Sequence, residues 1–378
     1  MAHLESLSIG CVVGDEAYRN YPNKELAVAI DSSSLSYIIF TSGSTGVPKG
    51  AMIEHRGMLN HLYSKVDVMQ LDSGSVVAQN ASQSFDISVW QFISALMVGG
   101  RTVVYSQEQI LDPVGFVTQV EQDGINILEV VPTYLSFLLD HEDSGVLAPD
   151  VFSHLNYLMV TGEVLPTVLS NRWYDLHPEI PMINAYGPTE ASDDITHYQI
   201  NGLHEGMIPI GYPVRNMKIY ILDNNNALCP IGVKGELCVS GVGVGRGYLN
   251  DPQKTAQSFV MDPFREGERM YRTGDTARFR RDGVLEFYGR NDHQVKIRGY
   301  RIELGEIENQ LEKYFNVERA LVIAEGDEGD KFLLCYYTSK MAIEPNELKI
   351  HLGASLPEYM VPKVYVHLLQ FPLTQNGK

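Results

Sequence analysis

Thr41-Ser42-Gly43-Ser44-Thr45-Gly46-Val47-Pro48-Lys49-Gly50 is the stretch whose residue types most directly suggest chemistry. Glycines let a backbone turn tightly and aim its N–H groups at an anion, while the hydroxyls and Lys49 add donors for phosphate oxygens. It is not a Walker A loop, which needs Gly-Lys-Ser/Thr where this chain has Pro48-Lys49-Gly50. A second glycine run, Gly241-Val242-Gly243-Val244-Gly245-Arg246-Gly247, fails the dinucleotide-binding spacing and is expected to be a turn. The eleven histidines form no ligand cluster, which makes a metal hydrolase a poor fit.

The elements that must position these residues alternate short strands with helices. Ser36–Thr41, Asn156–Thr161 and Ile180–Ala185 have strand character, and Pro113–Gln122 and Thr133–Leu139 have helical character. That rhythm predicts α/β architecture, with a large domain of mixed and parallel sheets covered by helices. From about residue 209 to 288 the chain turns to strands and glycine turns, as in Ile219–Leu222, Gly235–Ser240 and Arg278–Tyr288, predicting a β-rich subdomain. A boundary is expected at Gly289-Arg290-Asn291-Asp292. It separates a large domain (1–290) from a small mobile α/β domain (291–378) with an amphipathic helix over Glu303–Tyr314 and strands at Ala320–Ala324 and Phe332–Tyr337.

Composition narrows the classes of partner. Apolar residues are 44% of the 378, enough for sizeable cores. No apolar run approaches the about 20 residues of a membrane span, and the N-terminus lacks a secretion signal. Cys11, Cys229, Cys238 and Cys335 fit neither metal-ligand nor disulfide spacing, so a cytoplasmic location is expected. The net charge of −18 argues against nucleic acid or an anionic membrane as main partner.

Further segments follow the loop in a fixed order: Asn184-Ala185-Tyr186-Gly187-Pro188-Thr189-Glu190, Tyr271-Arg272-Thr273-Gly274-Asp275, Gly289-Arg290-Asn291-Asp292 with Gln294 to Glu303, and Pro372-Leu373-Thr374-Gln375-Asn376-Gly377-Lys378. Together they resemble the adenylate-forming enzymes, in particular adenylation domains of nonribosomal peptide synthetases. The resemblance implies an ATP-dependent, AMP-forming ligase that makes an aminoacyl adenylate and passes the acyl group to a carrier protein's phosphopantetheine thiol. Thr41, Ser42, Gly43, Ser44, Thr45 and Lys49 would cradle phosphates. Tyr186 would stack on adenine, with Asn184 at the base edge; Asp275 would accept the ribose hydroxyls, and Arg290 would assist. Thr189 would donate to the α-phosphate and Glu190 would hold Mg2+. Lys378 would bridge the substrate carboxylate and α-phosphate, offsetting charge in the transition state.

The resemblance also makes Asp292 a hinge about which the small domain rotates, bringing Lys296, Arg298 and Gly299 to the site for thioester formation. Asp86, in Phe85-Asp86-Ile87-Ser88-Val89-Trp90, would bind the substrate α-ammonium, the alternative being a helix cap. Ile87, Trp90, Glu129, Met159, Thr161, Ala185, Asp193 and Asp194 would surround the substrate side chain. Three carboxylates beyond Asp86 facing one cavity would be costly to desolvate without a cation, so a short cationic substrate such as 2,4-diaminobutyrate or ornithine is expected, unless Asp193 and Asp194 face solvent. A peptidyl carrier protein and a small MbtH-like accessory protein are the implied partners. Only about forty residues precede the loop, fewer than the family carries, so the fold is expected to be incomplete at its N-terminus. An acyl- or aryl-CoA ligase, or an inactive carrier-docking remnant, are the competing readings.

Overall fold

The computed structural model describes residues 29–43, 48–148, 150–290, 294–326 and 331–371. Among these the largest sheet has seven strands, in the order Arg101–Val104, Val76–Gln79, Ile127–Val130, Tyr157–Val160, Met182–Tyr186, Thr196–Ile200 and Tyr212–Pro213. The first five run parallel, and each of the last two pairs antiparallel with the strand before it. Ile127–Val130 and Met182–Tyr186 are buried at every position, as strands covered on both faces must be. One face packs against the helices Pro113–Gln122, Pro132–Asp143 and Thr167–Leu176, through Phe116, Leu135, Leu139 and Trp173. The other packs against His55–Val68 and Ile87–Met97, through Leu62, Trp90, Met159 and Ile183.

Local sequence explains several element ends. Asp112 accepts the Gly115 N–H at 3.2 Å and Pro113 opens the following helix, where a missing N–H costs nothing. The helix expected over Thr133–Leu139 is longer, Pro132–Asp143. Arg278–Tyr288, expected within a run of strands and glycine turns, spans the ends of two strands meeting at a turn, Arg269–Phe279 and Leu285–Arg290. Asp282 caps the Val284 N–H at 3.3 Å and Gly283 takes a φ of 82°, so the chain reverses there.

Met217–Leu222, Gly235–Gly241, Arg269–Phe279, Phe259–Met261 and Leu285–Arg290 form a five-stranded antiparallel sheet with its own core of Ile219, Leu237, Val239, Tyr271 and Leu285. A three-stranded sheet joins Leu35–Thr41, Lys49–Glu54 and Gly247–Tyr248, so both ends of the phosphate-loop segment are anchored on strands. The glycine run from Gly241 to Gly247 connects two strands as a turn, as expected. Towards the C-terminus, Arg319–Glu325, Phe332–Thr338 and Val364–Leu368 form a further three-stranded sheet, covered by the helices Leu304–Leu311 and Pro345–Gly353 around Ile307, Leu311, Val322 and Leu348. The hairpin Gln294–Ile297/Tyr300–Glu303 precedes it. Its two-residue tip, Arg298-Gly299, has φ values of 53° and 77°, the mirror-image turn that matches strand twist.

Candidate active site

The carboxyl ends of the parallel strands open into a cavity of about 640 Å³, where open α/β sheets place their ligands. Its walls include Asn184, Ala185, Tyr186, Asp275, Arg290, Lys296 and Arg298, seven residues singled out from sequence and drawn from four separate strands and a hairpin tip. Tyr186 donates its hydroxyl to Asp275 Oδ2, and Arg290 Nη1 holds Asp275 Oδ1 at 2.8 Å across paired strands. Burial, then the Asp275 charge, pushes the Tyr186 phenol well up, so it remains a donor. Phe287 lies 5.6 Å from the Tyr186 ring, and the Lys296 ammonium 5.9 Å. Asn184 donates an amide N–H to Pro209 O at 2.8 Å.

Glu190 is fully buried in a short turn of helix, Thr189–Ala191. Tyr248 donates to its Oε1 and Arg301 to its Oε2, both at 2.8 Å. Burial alone would raise its pKa, but Arg301 and Lys49 outweigh this and hold it at about 2. The carboxylate is therefore charged and suited to a hard cation, yet in this arrangement Arg301 already takes that place. The described part of the phosphate loop is engaged in the same way. Ser42 Oγ donates to Arg301 O at 2.8 Å, the Gly43 N–H to Glu306 at 3.2 Å, and Lys49 Nζ to Glu303 at 3.4 Å. Thr41 Oγ1 stays local, 3.5 Å from Lys49 O. At the hairpin tip the Gly299 N–H reaches Glu163 Oε1 at 2.9 Å, and Glu163 in turn accepts from Thr133. Ser44, Thr45, Asp292 and Lys378 lie outside the described residues.

Asp86 takes the helix-cap position that the sequence left open. It stands at the N-terminus of Ile87–Met97, accepting the Ile87 N–H at 3.1 Å, and it is buried with the Thr189 hydroxyl as a partner. Burial raises its pKa and Thr189 counters that. Asp193 and Asp194 face inward, 4% and 2% exposed, because Ser192 and Asp193 both adopt positive φ, 67° and 73°. Two successive left-handed residues are costly, and the Ser192 hydroxyl helps fix them by donating to Gly243 O at 2.6 Å. Thr161 donates to Ala185 O at 3.1 Å; Trp90 and Met159 are fully enclosed, and Ile87 is half-buried beside them.

The expectation of an uncompensated carboxylate pocket needs correction, because the chain supplies its own cation. Lys65, fully buried on the helix His55–Val68, bonds to Asp194 Oδ2 and lies 3.6 Å from Glu129 Oε1, 2.8 Å from Met159 Sδ and 4.8 Å from the Trp90 ring centre. The other Glu129 oxygen accepts from Trp90 Nε1 at 2.8 Å and Gln91 at 3.1 Å. Burial would neutralise Lys65, but Asp194 and Glu129 outweigh it and keep it charged. Burial raises Glu129 to about 7 despite Lys65. His61 Nε2 stands 3.0 Å from Asp193 Oδ2 without the alignment of a hydrogen bond, and burial followed by Lys65 lowers its pKa to about 4. Burial and then the Asp194 charge push the Asp193 carboxyl well up, shifting it towards its neutral form. Lys65 escaped the sequence reading, although its place four residues after His61 and three after Leu62, on a helix's buried face, was a signal. Arg301, Tyr248 and Glu163 were also missed.

A cleft at the carboxyl ends of a parallel sheet, met by the hairpin of a smaller α/β unit, defines a two-part α/β enzyme architecture. Residues 6–249 match the family model of the AMP-binding enzymes and residues 306–378 that of the AMP-binding enzyme C-terminal domain, and the chain belongs to that family. Tyrocidine synthase 1 of Brevibacillus parabrevis is 40% identical over 349 residues, covering 92% of this chain and 31% of that protein. The first curated relatives are peptide synthases of which the chain spans at most 31%. Among solved structures, holo-PA1221, an NRPS protein containing adenylation and PCP domains bound to a vinylsulfonamide inhibitor, is 29% identical with a TM-score of 0.82, covering 95% of this chain and 62% of that one. The Vibrio cholerae adenylation domain AlmE in complex with glycyl-adenosine-5'-phosphate is 26% identical with a TM-score of 0.81, over 96% and 67% of the two chains. No helix among the described residues is long and apolar enough to cross a membrane.

Proposed function

We propose that this chain activates an amino acid with ATP as an aminoacyl adenylate, releasing pyrophosphate, and hands the acyl group to a carrier protein's phosphopantetheine thiol. The observation that carries the reading is the convergence of Asn184, Tyr186, Asp275, Arg290 and Lys296 on one cavity, beside Thr189, Glu190 and Asp86. Tyr186 and Phe287, their rings tilted 44° to each other, offer aromatic surface to a base, and Asp275, fixed by Arg290, offers carboxylate oxygens to ribose hydroxyls. Mg2+ would neutralise phosphate charge, and Glu190 would hold it once Arg301 withdraws. Asp86, buried with a neutral hydroxyl partner, is the acceptor for a substrate α-ammonium. Lys378 is assigned to the reacting carboxylate and Asp292 to the hinge between parts 1–290 and 291–378. The carrier protein and an MbtH-like accessory protein are partners by family resemblance. The free thiols of Cys229, Cys238 and Cys335 suit a reducing cytoplasm.

A cationic side chain such as that of 2,4-diaminobutyrate or ornithine would have to share Asp194 and Glu129 with Lys65, so the charge argument made for it from sequence no longer favours it. ATP–pyrophosphate exchange across an amino-acid panel tests the reading. Exchange with at least one amino acid and none with simple fatty or aryl acids is expected. Thioester formation with free CoA would point to a CoA ligase instead. ATP binding without exchange on any amino acid would point to an inactive docking unit.

A further inference from the structure

We propose that Lys65 is the specificity-determining residue of the substrate side-chain pocket: its ammonium fills the far end, so short uncharged amino acids are accepted and diamino acids are shut out. This rests on the amino-acid-activating reading and narrows its substrate class. Lys65 touches four of the residues assigned to that pocket, Glu129, Asp194, Met159 and Trp90, and it is wholly shielded from solvent. Ala185 lines the open cavity, whereas Trp90, Met159 and Lys65 are enclosed. Among the residues assigned to that pocket, Ala185 alone is on the described cavity wall, which implies a short reach for a substrate side chain.

Charge reinforces shape. The titratable groups facing Lys65 are Glu129 on its strand, Asp193 and Asp194 on the left-handed turn, His61 on its own helix and His197 on the neighbouring strand. His197 lies 3.3 Å from the Asp194 oxygen that Lys65 holds. Burial depresses both imidazoles, so Lys65 is the cation of the cluster and Asp194 the anion it satisfies. A second ammonium seeking the same carboxylates would stand a few ångströms from the first, in a region with little water to screen them. Remove Lys65 and the same pocket becomes a carboxylate-lined cavity of about a lysine side chain's length, suited to a diamino acid.

Exchange kinetics with alanine, serine and threonine against 2,4-diaminobutyrate and ornithine should be measured on the chain and on Lys65→Ala. The unsubstituted chain is expected to favour the uncharged set by at least about tenfold. Lys65→Ala should raise the ornithine-to-alanine ratio of kcat/KM by at least about tenfold, and adding Asp194→Asn should erase much of that gain. Equilibrium binding of alanyl- and ornithyl-sulfamoyladenosine should follow the same order. Because Lys65→Ala leaves buried carboxylates unpaired, its melting temperature is measured with and without butylammonium, which should stabilise the variant and leave the parent unmoved. A diamino acid as the parent's best substrate, an unchanged ratio in the folded variant, or indifference to butylammonium each overturns the proposal. Silence of the parent with every amino acid and every aminoacyl sulfamoyladenosine overturns the activation reading and the pocket assignment with it. The butylammonium arm then still shows separately whether Lys65 is the cluster's counter-ion.

Discussion

His61 stands one helical turn before Lys65, enclosed among carboxylates, yet burial and the Lys65 charge leave it neutral with a pKa of about 4. An unfolded histidine titrates near 6.5. The folded state thus binds fewer protons than the unfolded chain between those values, and stability must fall as pH drops through that window. From pH 7 to pH 5 the loss assigned to His61 is about 2 kcal/mol, since one pKa unit is worth about 1.4 kcal/mol. Denaturant titrations at several pH values should show His61→Asn losing less stability than the parent across that range. Parallel curves would remove His61 as the cause. The histidine was invisible as a functional group in the sequence because nothing local says that its helix face looks at Asp193 and Asp194, which are 132 and 133 positions further on. Tyr186, Asp275 and Arg290 were legible as candidates for the opposite reason: each lies in a short motif, and the fold brings those motifs to one cavity.

The turn Tyr186 to Asp194 shows how a few backbone angles aim several side chains. Its strand delivers Ala185 and Tyr186 to the cavity, a single turn of helix presents Thr189 and Glu190, and the left-handed pair Ser192-Asp193 swings both aspartates inward. Gly187 makes this compactness possible. A Cβ there would lie 1.9 Å from Asp193 O and 2.5 Å from Asp194 Cα, both backbone atoms that cannot step aside. Gly187→Ala should therefore push the aspartate turn outward, costing about 1–3 kcal/mol of stability. It should also lower exchange by an order of magnitude or more, measured at saturating ATP. Retention of full exchange with an unchanged melting temperature would show that the turn tolerates the shift. The strands and helices around this turn were readable from apolar periodicity, and Arg278–Tyr288 was read among strands and glycine turns without the point of reversal being located. Asp282-Gly283 interrupts a run whose flanks both favour strand, and only the pairing of Asp275 with Arg290 reveals the reversal.

The described contacts between the small C-terminal unit and the rest combine the Phe85–Tyr300 ring pair with several polar contacts to residues singled out from sequence. Arg301 holds Glu190, Glu303 and Glu306 occupy donors of the phosphate loop, and the Gly299 N–H binds Glu163 beside the cavity. On the proposed function, Mg2+ held by Glu190 would compete with Arg301 for that carboxylate, so a metal–nucleotide-loaded arrangement would differ from this one. On the proposed function the loaded arrangement belongs to adenylate formation and the present one to thioester formation, with the hairpin tip at the cavity wall. Gly299 separates the two experimentally. Its φ of 77° suits glycine, and a Cβ would sit 2.8 Å from Val131 Cγ1 in this docked position alone. Gly299→Ala is expected to cost about 1 kcal/mol or more in the docked state, since alanine at positive φ is strained. Acyl transfer to a carrier phosphopantetheine thiol should then fall by about tenfold or more while pyrophosphate exchange stays within about threefold. Equal losses in both half-reactions would mean that the hairpin serves adenylate formation too, and that one docked geometry carries both steps.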